Sequence, residues 1–536
     1  MADPDLDDSV LDVLVVGAGI TGIYQLYRAR EAGFSAQLLE AGSGVGGTWF
    51  WNRYPGARFD SESYTYGYLF SRELFDEWEW SEHFAGQPEI ERYLNHVVDR
   101  FDLRRDIRFG SRVVEATWED PSATWLVRTE GGTPRRARFL VAATGVLSVP
   151  FIPDVAGRDS FGGTQLHTGL WPAEPVDIKD KRVAVIGTGS SGVQVIPAVL
   201  DEVASLTVYQ RRPNWCTPLN NSPITREQQA QLRADFESIR ETLNTSVSGF
   251  LHPVCERGFA DDSETERRNF YARLWATPGF GKLISNYFDV TFNAAANASW
   301  CEFLASKIRE LVHDPATAEQ LIPDDHRYAE HRPPFVTRYF EAYNDPKVSL
   351  VSLKRTPIIR LTERGIETAD GVREHDVIIW ATGFDFGTGA LRRMDVRGRC
   401  GVALNDAWAD GPSTYLGVQT AGFPNFFFPG GPHAAAGNNP RYNGDQVDFV
   451  MDLLLAARKR GATTIEVTTE AEELWTSKID KAARQPPSFG ESSYYFGANI
   501  PGKPRKYLLN AAGRPKLLEL IAKSKSNDLN PFVLRP

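Results

Sequence analysis

Cysteine is scarce in this chain of 536 residues: Cys216, Cys255, Cys301 and Cys400 are scattered, with no C-x-x-C pair. That spacing argues against a dithiol redox centre, a zinc knuckle and a secreted disulfide framework, and no metal is expected. Long apolar runs are missing too; no stretch approaches the roughly 20 residues that a membrane helix needs. The opening residues Met1-Ala2-Asp3-Pro4-Asp5 supply neither a basic nor an apolar segment, so a cytoplasmic location is expected. Positive charge is in deficit, with 59 Lys plus Arg against 69 Asp plus Glu and a net charge of −10. Such a field repels nucleic acid and anionic lipid, so neither is an expected partner. Aromatic residues are plentiful, at 13 Trp, 18 Tyr and 31 Phe. Core packing accounts for most of them, and pockets for flat or apolar ligands for the remainder. The length exceeds what one hydrophobic core supports, which predicts two or three lobes.

Two strand–turn–helix openings stand roughly 170 residues apart. The first runs from the apolar strand Leu11–Val16 through Gly17-Ala18-Gly19-Ile20-Thr21-Gly22 into a helix to about Ala32. A second strand, 36–39, then ends in Glu40. The other opening repeats this grammar with the strand 182–186, the turn Gly187-Thr188-Gly189-Ser190-Ser191-Gly192, a helix to about Leu200 and a strand ending in Gln210-Arg211-Arg212. In each turn the first two glycines bring backbone close to a pyrophosphate and the third lets helix pack on strand. The helix N-terminus adds free N–H groups and a positive dipole end. Glu40 suits the ribose hydroxyls of FAD and would repel a 2′-phosphate. Arg211 and Arg212 favour that phosphate, so the second ligand is expected to be NADP(H) rather than NAD(H). Ala143-Thr144-Gly145 and Ala381-Thr382-Gly383 each close an apolar strand and read as crossover points between two nucleotide domains.

The fold class is therefore α/β, with two Rossmann-like domains for FAD and NADP and a helical insertion in the second. The expected boundaries are 1–147 for the first part of the FAD domain, 148–383 for the NADP domain with an insertion over about 220–331, and 384–536 for the second part of the FAD domain. In the insertion, Leu232, Phe236, Ile239 and Leu243 fall on one face at helical spacing. Strand signals resume near 348–351 and 376–380, both followed by sequence that fits a return to the first domain.

Over nearly its whole length the chain resembles the type I Baeyer–Villiger monooxygenases. The most specific match is the family's F-x-G-x-x-x-H-x-x-x-W-P segment, which reads Phe161, Gly163, His167, Trp171 and Pro172 here. Also present are Gly47-Thr48-Trp49, Tyr54-Pro55-Gly56 with Asp60, and the segment from Gly497 to Arg505. The resemblance implies that NADPH reduces FAD, that a flavin C4a-peroxide forms with O2, and that oxygen enters beside a ketone carbonyl to give an ester or lactone. It further implies Arg332 as the catalytic cation, with Asp60 pairing to it. Around the flavin it carries over Gly17, Gly19, Thr21, Gly22, Glu40, Gly47, Thr48, Trp49, Tyr66 and Val113. For NADPH it carries over Thr188, Gly189, Ser190, Ser191, Gln194, Arg211 and Arg212, with Asp60 holding Arg332 over the flavin ring and contacting the nicotinamide amide. Phe161, Gly163, His167 and Trp171 are expected to be structural or conformational, and the protein to be a monomer.

Three departures mark this chain. His331 stands where the family has Lys before the arginine, and Arg212 where Thr is common; Arg212 is expected to replace the missing charge. Tyr494 stands where the family has Trp, and its hydroxyl could donate to the nicotinamide ribose. After Gly430-Gly431-Pro432-His433, the small residues Ala434, Ala435 and Ala436 leave room for a bulky ketone or pack under a neighbouring loop. The competing readings are an N- or S-oxygenating flavin monooxygenase, a pyridine nucleotide–disulfide reductase, which needs a cysteine pair that is missing, and a nucleotide-binding module without activity.

Overall fold

Val13, Leu14, Val15 and Val16 are buried on both faces, as in the central strand of a parallel sheet covered on each side. In a computed structural model, which describes residues 10–434, 437–484 and 492–536, the strand Val10–Val16 lies between Ala36–Leu39 and Arg135–Ala142, parallel to both. Val113–Glu119 and Thr124–Thr129 extend that sheet on one side and Ile107–Arg108 on the other. Its remaining strands, Asp395–Arg397 and Phe426–Phe427, come from far along the chain, so both ends of the sequence build one lobe. The long helix Asn439–Arg460 seals it: Tyr24 Oη on the first helix, Ile20–Glu31, donates to Asp448 at 2.9 Å.

The second sheet has five parallel strands in the order Val348–Ser352, Ser205–Gln210, Arg182–Ile186, Val377–Trp380 and Thr164–His167. Between Ser205–Gln210 and Val348–Ser352 the chain leaves to form six helices, from Arg226–Ala234 to Pro315–Leu321. These carry a core of their own around Trp300, Tyr271, Tyr287 and Tyr328.

Two expectations need correction. The apolar face from Leu232 to Leu243 does not belong to one helix: the chain breaks at Asp235 (φ −89°, ψ 5°) into Arg226–Ala234 and Phe236–Thr245. Leu232 still packs with Phe236, Ile239 and Leu243, because the break turns the axis without removing that face from the cluster. Nor does the chain return to the first lobe after Ser352. It first makes an antiparallel three-stranded sheet, Ile358–Thr362, Gly365–Thr368 and Gly371–Glu374, whose short turns reverse it twice. It then completes the second sheet and only afterwards crosses back.

The two crossovers run side by side. Asp385 N donates to Val149 O at 2.8 Å, Phe151 N to Gly383 O at 2.9 Å, and Gly387 N to Val146 O at 3.0 Å. Thr382 Oγ1 adds a bond to Phe151 O at 2.5 Å. The lobes are thus joined by a paired connector rather than by two independent loops.

Candidate active site

The two glycine turns are built alike. Gly17 (φ +102°) and Gly187 (φ +107°) adopt a backbone conformation that side chains avoid. A Cβ on Gly22 would lie 1.8 Å from Gly17 O, and one on Gly192 would lie 2.2 Å from Gly187 O. Each turn is thereby pressed onto its own helix, Ile20–Glu31 or Ser190–Val199, with the N-terminal amides directed outwards. Gly189 and Ser190 are exposed, and a Cβ on Gly189 would meet nothing within 4 Å, which fits an open cradle for a pyrophosphate.

Glu40 closes the first cleft. Its Oε2 accepts from Ala18 N and its Oε1 from Gly42 N, both at 2.7 Å, although the residue is buried. Burial raises its pKa, and these backbone donors work against the rise. Each oxygen keeps a lone pair for a ribose hydroxyl. Gly47 faces Gly19 across the turn, with Thr48 exposed beside it. Behind them Trp49 Nε1 donates to Tyr66 Oη at 3.0 Å, and Tyr66 stacks on Phe59. Val113 is buried at the start of its strand, next to the Ser111 N–Glu40 O bond of 2.8 Å. Thr21 Oγ1 accepts from Asn443 at 2.8 Å, which ties the turn to the helix Asn439–Arg460.

In the second cleft Thr188 Oγ1 donates to Arg212 O at 3.1 Å, holding the arginine pair at the mouth of the turn. Arg211 is exposed and makes no ion pair among the described residues. Arg212 is already engaged, with Nε 3.2 Å from Asp325 Oδ2.

Arg332 and Asp60 come together from positions 272 residues apart, with Nη2 at 2.6 Å from both carboxylate oxygens. Burial disfavours the guanidinium charge, but Asp60 outweighs it and the pKa sits above its ordinary value. The Phe280 ring lies 5.3 Å from the guanidinium carbon, and Asn214 fixes the backbone through Arg332 O at 3.0 Å. The Asp60 loop is pinned to the second lobe: Tyr54 Oη donates to Gln194 Oε1 at 2.7 Å, and Gln194 Nε2 donates to Arg58 O at 3.0 Å. Gln194 therefore spends its amide on the interface between lobes. Ser191 adjoins Tyr54, whose phenol burial pushes up to about 12. Tyr494 sits close enough to Arg332 to feel its charge, and it packs on Tyr495 and Phe386. The aromatic run after Arg332 does not form one strand. Only Phe335–Val336 is extended; Tyr339 and Phe340 lead into a 3-10 turn, Glu341–Asn344, because three large rings there must all face one core.

Phe161 is buried against the second sheet, and Gly163 lies where a Cβ would come within 2.3 Å of Asp376 O. His167 ends the edge strand Thr164–His167; its Nδ1 accepts from Gly169 N at 2.9 Å and its ring meets Phe384 edge-on at 5.7 Å. Burial holds its pKa down to about 4. The segment is thus part of the sheet as well as a link, and His167 touches the connector. Trp171 is buried in the core that holds Tyr54.

Two residues were missed from the sequence. Asn499 Nδ2 donates to Phe384 O at 2.8 Å, and buried Lys503 Nζ donates to Asp385 Oδ1 and Phe386 O, both at 2.5 Å. Their signal was the Gly497–Arg505 segment, read only as a family match. In the small-residue loop, Ala434 is buried and His433 is held by Thr414 Oγ1 at 3.0 Å and Tyr507 O at 3.1 Å. Ala435 and Ala436 lie outside the described residues.

Comparison with known proteins gives the following. Residues 14–270 match the family model described as pyridine nucleotide-disulphide oxidoreductase. The chain is 44% identical over 477 residues, 88% of each chain, to the 2-oxo-Delta(3)-4,5,5-trimethylcyclopentenylacetyl-CoA monooxygenase of Pseudomonas putida. It is 40% identical to phenazine N-monooxygenase PhzNO1 of Lysobacter antibioticus, covering 99% of this chain and 98% of that one. The crystal structure of OTEMO in complex with FAD and NADP superposes with a TM-score of 0.94 at 41% identity, covering 98% of this chain and 99% of that chain.

Proposed function

Because the chain belongs to the type I Baeyer–Villiger monooxygenases, we propose that it inserts one atom of O2 beside the carbonyl of a ketone at the cleft where Arg332 and Asp60 meet. NADPH supplies the two electrons, one oxygen atom enters the ester or lactone, and the other leaves as water. FAD, when bound and reduced, supplies the oxygen activation. The residues of the chain supply place, charge and dryness. Glu40 and the first glycine turn hold the adenosine and pyrophosphate of FAD; the second turn with Arg211 and Arg212 holds those of NADPH. Arg332 presents a cation that does not titrate near neutral pH, aimed at the charge that develops on the reacting oxygens. Asp60 fixes that cation, and the Tyr54–Gln194 contact makes its position depend on both lobes being in place. Tyr494 offers a hydroxyl near the nicotinamide side, and the Phe280 ring covers one side of the guanidinium.

The observation that carries this reading is the Arg332–Asp60 pair, formed between two nucleotide clefts by residues remote in sequence. The similarity to the Lysobacter enzyme gives a second reading, oxygen transfer to a ring nitrogen, which the same cation and cleft would serve. The test is NADPH consumption across cyclic, aromatic and linear ketones and a phenazine, with product masses measured. Ketone products one oxygen heavier are expected. Turnover that yields only an N-oxide, or only hydrogen peroxide with every ketone, would remove the ketone reading. A cytoplasmic, monomeric enzyme is part of the proposal and is checked by fractionation and by sedimentation.

A further inference from the structure

One corner of the second cleft is short of charge. Arg212 Nε is 3.2 Å from Asp325 Oδ2, while Asp325 Oδ1 lies 2.8 Å from His326 Nδ1. The His326 ring meets the His331 ring edge-on, with centroids 4.5 Å apart. The His326 side chain is 3% exposed, and its Nε2 is buried with no hydrogen-bond partner among the described residues. Leaving the histidines aside, two arginines less one aspartate give a single positive charge. A phosphate monoester carries about −1.5 to −2 at neutral pH. The site therefore under-matches a 2′-phosphate by roughly one charge, and the one titratable pair beside it is His326–His331.

We propose that His331 takes up a proton when the 2′-phosphate of NADP(H) binds, so that the preference of this chain for NADP(H) over NAD(H) is set by pH. The inference rests on the NADPH reading above. Burial, with His326 and Arg212 adding to it, holds the ligand-free His331 down to about 4, so the ring is neutral at pH 7. The charged groups that face it are His326, Arg212, Asp325 and Glu330. Glu330, paired to Arg327 at 2.7 Å, and Asp325, paired to Arg212 and His326, both favour a proton on His331, but burial outweighs them, so neither holds one there. A bound dianion does, and it raises the ring's affinity for a proton. The added affinity for the phosphate is then fully present below the ligand-free value, declines as pH rises and is gone above the raised value. The position next to Arg332 means that the proton arrives beside the catalytic pair only when the phosphate is seated.

The experiment uses the FAD-loaded enzyme, titrated with NADP+ and NAD+ by flavin absorbance and by calorimetry in two buffers of different protonation enthalpy. Expected are net proton uptake on NADP+ binding and NADP+ affinity at least fivefold weaker at pH 8.5 than at pH 6.5, with NAD+ affinity changing less than twofold. His331→Gln abolishes the uptake. His331→Lys, whose charge is fixed, keeps NADP+ tight at pH 8.5; it also exposes the weakening at low pH due to the phosphate's own ionisation near pH 6. If His331→Gln loses flavin, His331→Lys alone carries the test. The inference is overturned if wild type and His331→Gln take up protons equally, or if only His326→Gln abolishes the uptake. Failure of both nucleotides to bind would sink the NADPH reading itself, whereas NADP+ binding without proton uptake sinks this inference alone.

Discussion

Both carboxylate oxygens of Asp60 lie 2.6 Å from a single nitrogen of Arg332, Nη2. The acid grips one corner of the guanidinium fork, while Nε and Nη1 make no hydrogen bond among the described residues. A cation held this way is immobile yet keeps donors for a ligand.

Arg332→Ala should lower ketone oxygenation by about 10²- to 10³-fold, the usual cost of one preorganised donor at developing charge, while NADPH is still consumed and hydrogen peroxide appears. Asp60→Ala should cost less, since the cation survives without its fixed place. Arg332→Lys should add an alkaline limb to the rate, because burial pushes an ammonium down from its usual 10.4 or so. The ratio of ester formed to NADPH consumed checks all three; coupled turnover by Arg332→Ala would remove the catalytic assignment.

The two nucleotide sites should be separable by one methyl group each. Gly22→Ala places carbon 1.8 Å from Gly17 O and should yield protein without flavin. Gly192→Ala, at 2.2 Å from Gly187 O, should keep the flavin spectrum and lose NADPH binding. Absorbance at the flavin band and NADP+ titration read the two outcomes.

Lys503→Met should destabilise the protein by about 2–3 kcal/mol, by leaving Asp385 and Phe386 O without their donor. The figure is below that of a fully buried pair because Asp385 keeps some solvent contact. The double variant Lys503→Met/Asp385→Asn should recover part of the loss. Thermal denaturation checks both, and equal melting temperatures for wild type and Lys503→Met would show that the contact is idle.

Stability should fall as the solution is acidified from pH 6.5 towards 4. His167, His375 and His433 are buried with pKa values held down to about 4, chiefly by burial. Their unfolded values are near 6.5, so the unfolded chain binds more protons across that window and is favoured. Each contributes a slope of up to about 1.4 kcal/mol per pH unit. His433→Gln should flatten the melting temperature profile between pH 6.5 and 4.5; an unchanged profile would place the acid sensitivity elsewhere.

The sequence made the nucleotide folds legible because their signals are local. Gly17 and Gly187 each follow an apolar strand and open a helix, and Glu40 and Arg211 stand at fixed places after them. What it could not convey depends on distant partners. Asp235 looks like an ordinary helical residue, and only packing against residues near Leu69 and Phe75 decides that the axis turns there. Tyr339, Phe340 and Tyr343 have strand-like composition, yet the second core needs their rings on one side. Arg212 reads as a free phosphate ligand until Asp325, more than a hundred residues on, folds against it. Lys503 sits in a recognisable segment, but its acceptors lie on the connector, which no spacing rule reaches.

The paired connector constrains how this chain can change over generations. Residues 146–151 and 383–387 are laced together by backbone bonds, so lengthening one without the other would shift the register and tear three rungs at once. Because Phe384 also leans on His167, and Asp385 on Lys503, such a slip would be felt in the edge strand of one lobe and the tail of the other. Insertions should accordingly accumulate in the helices between Ser205–Gln210 and Val348–Ser352, where the chain departs and returns within a single sheet and the paired connector is not asked to compensate.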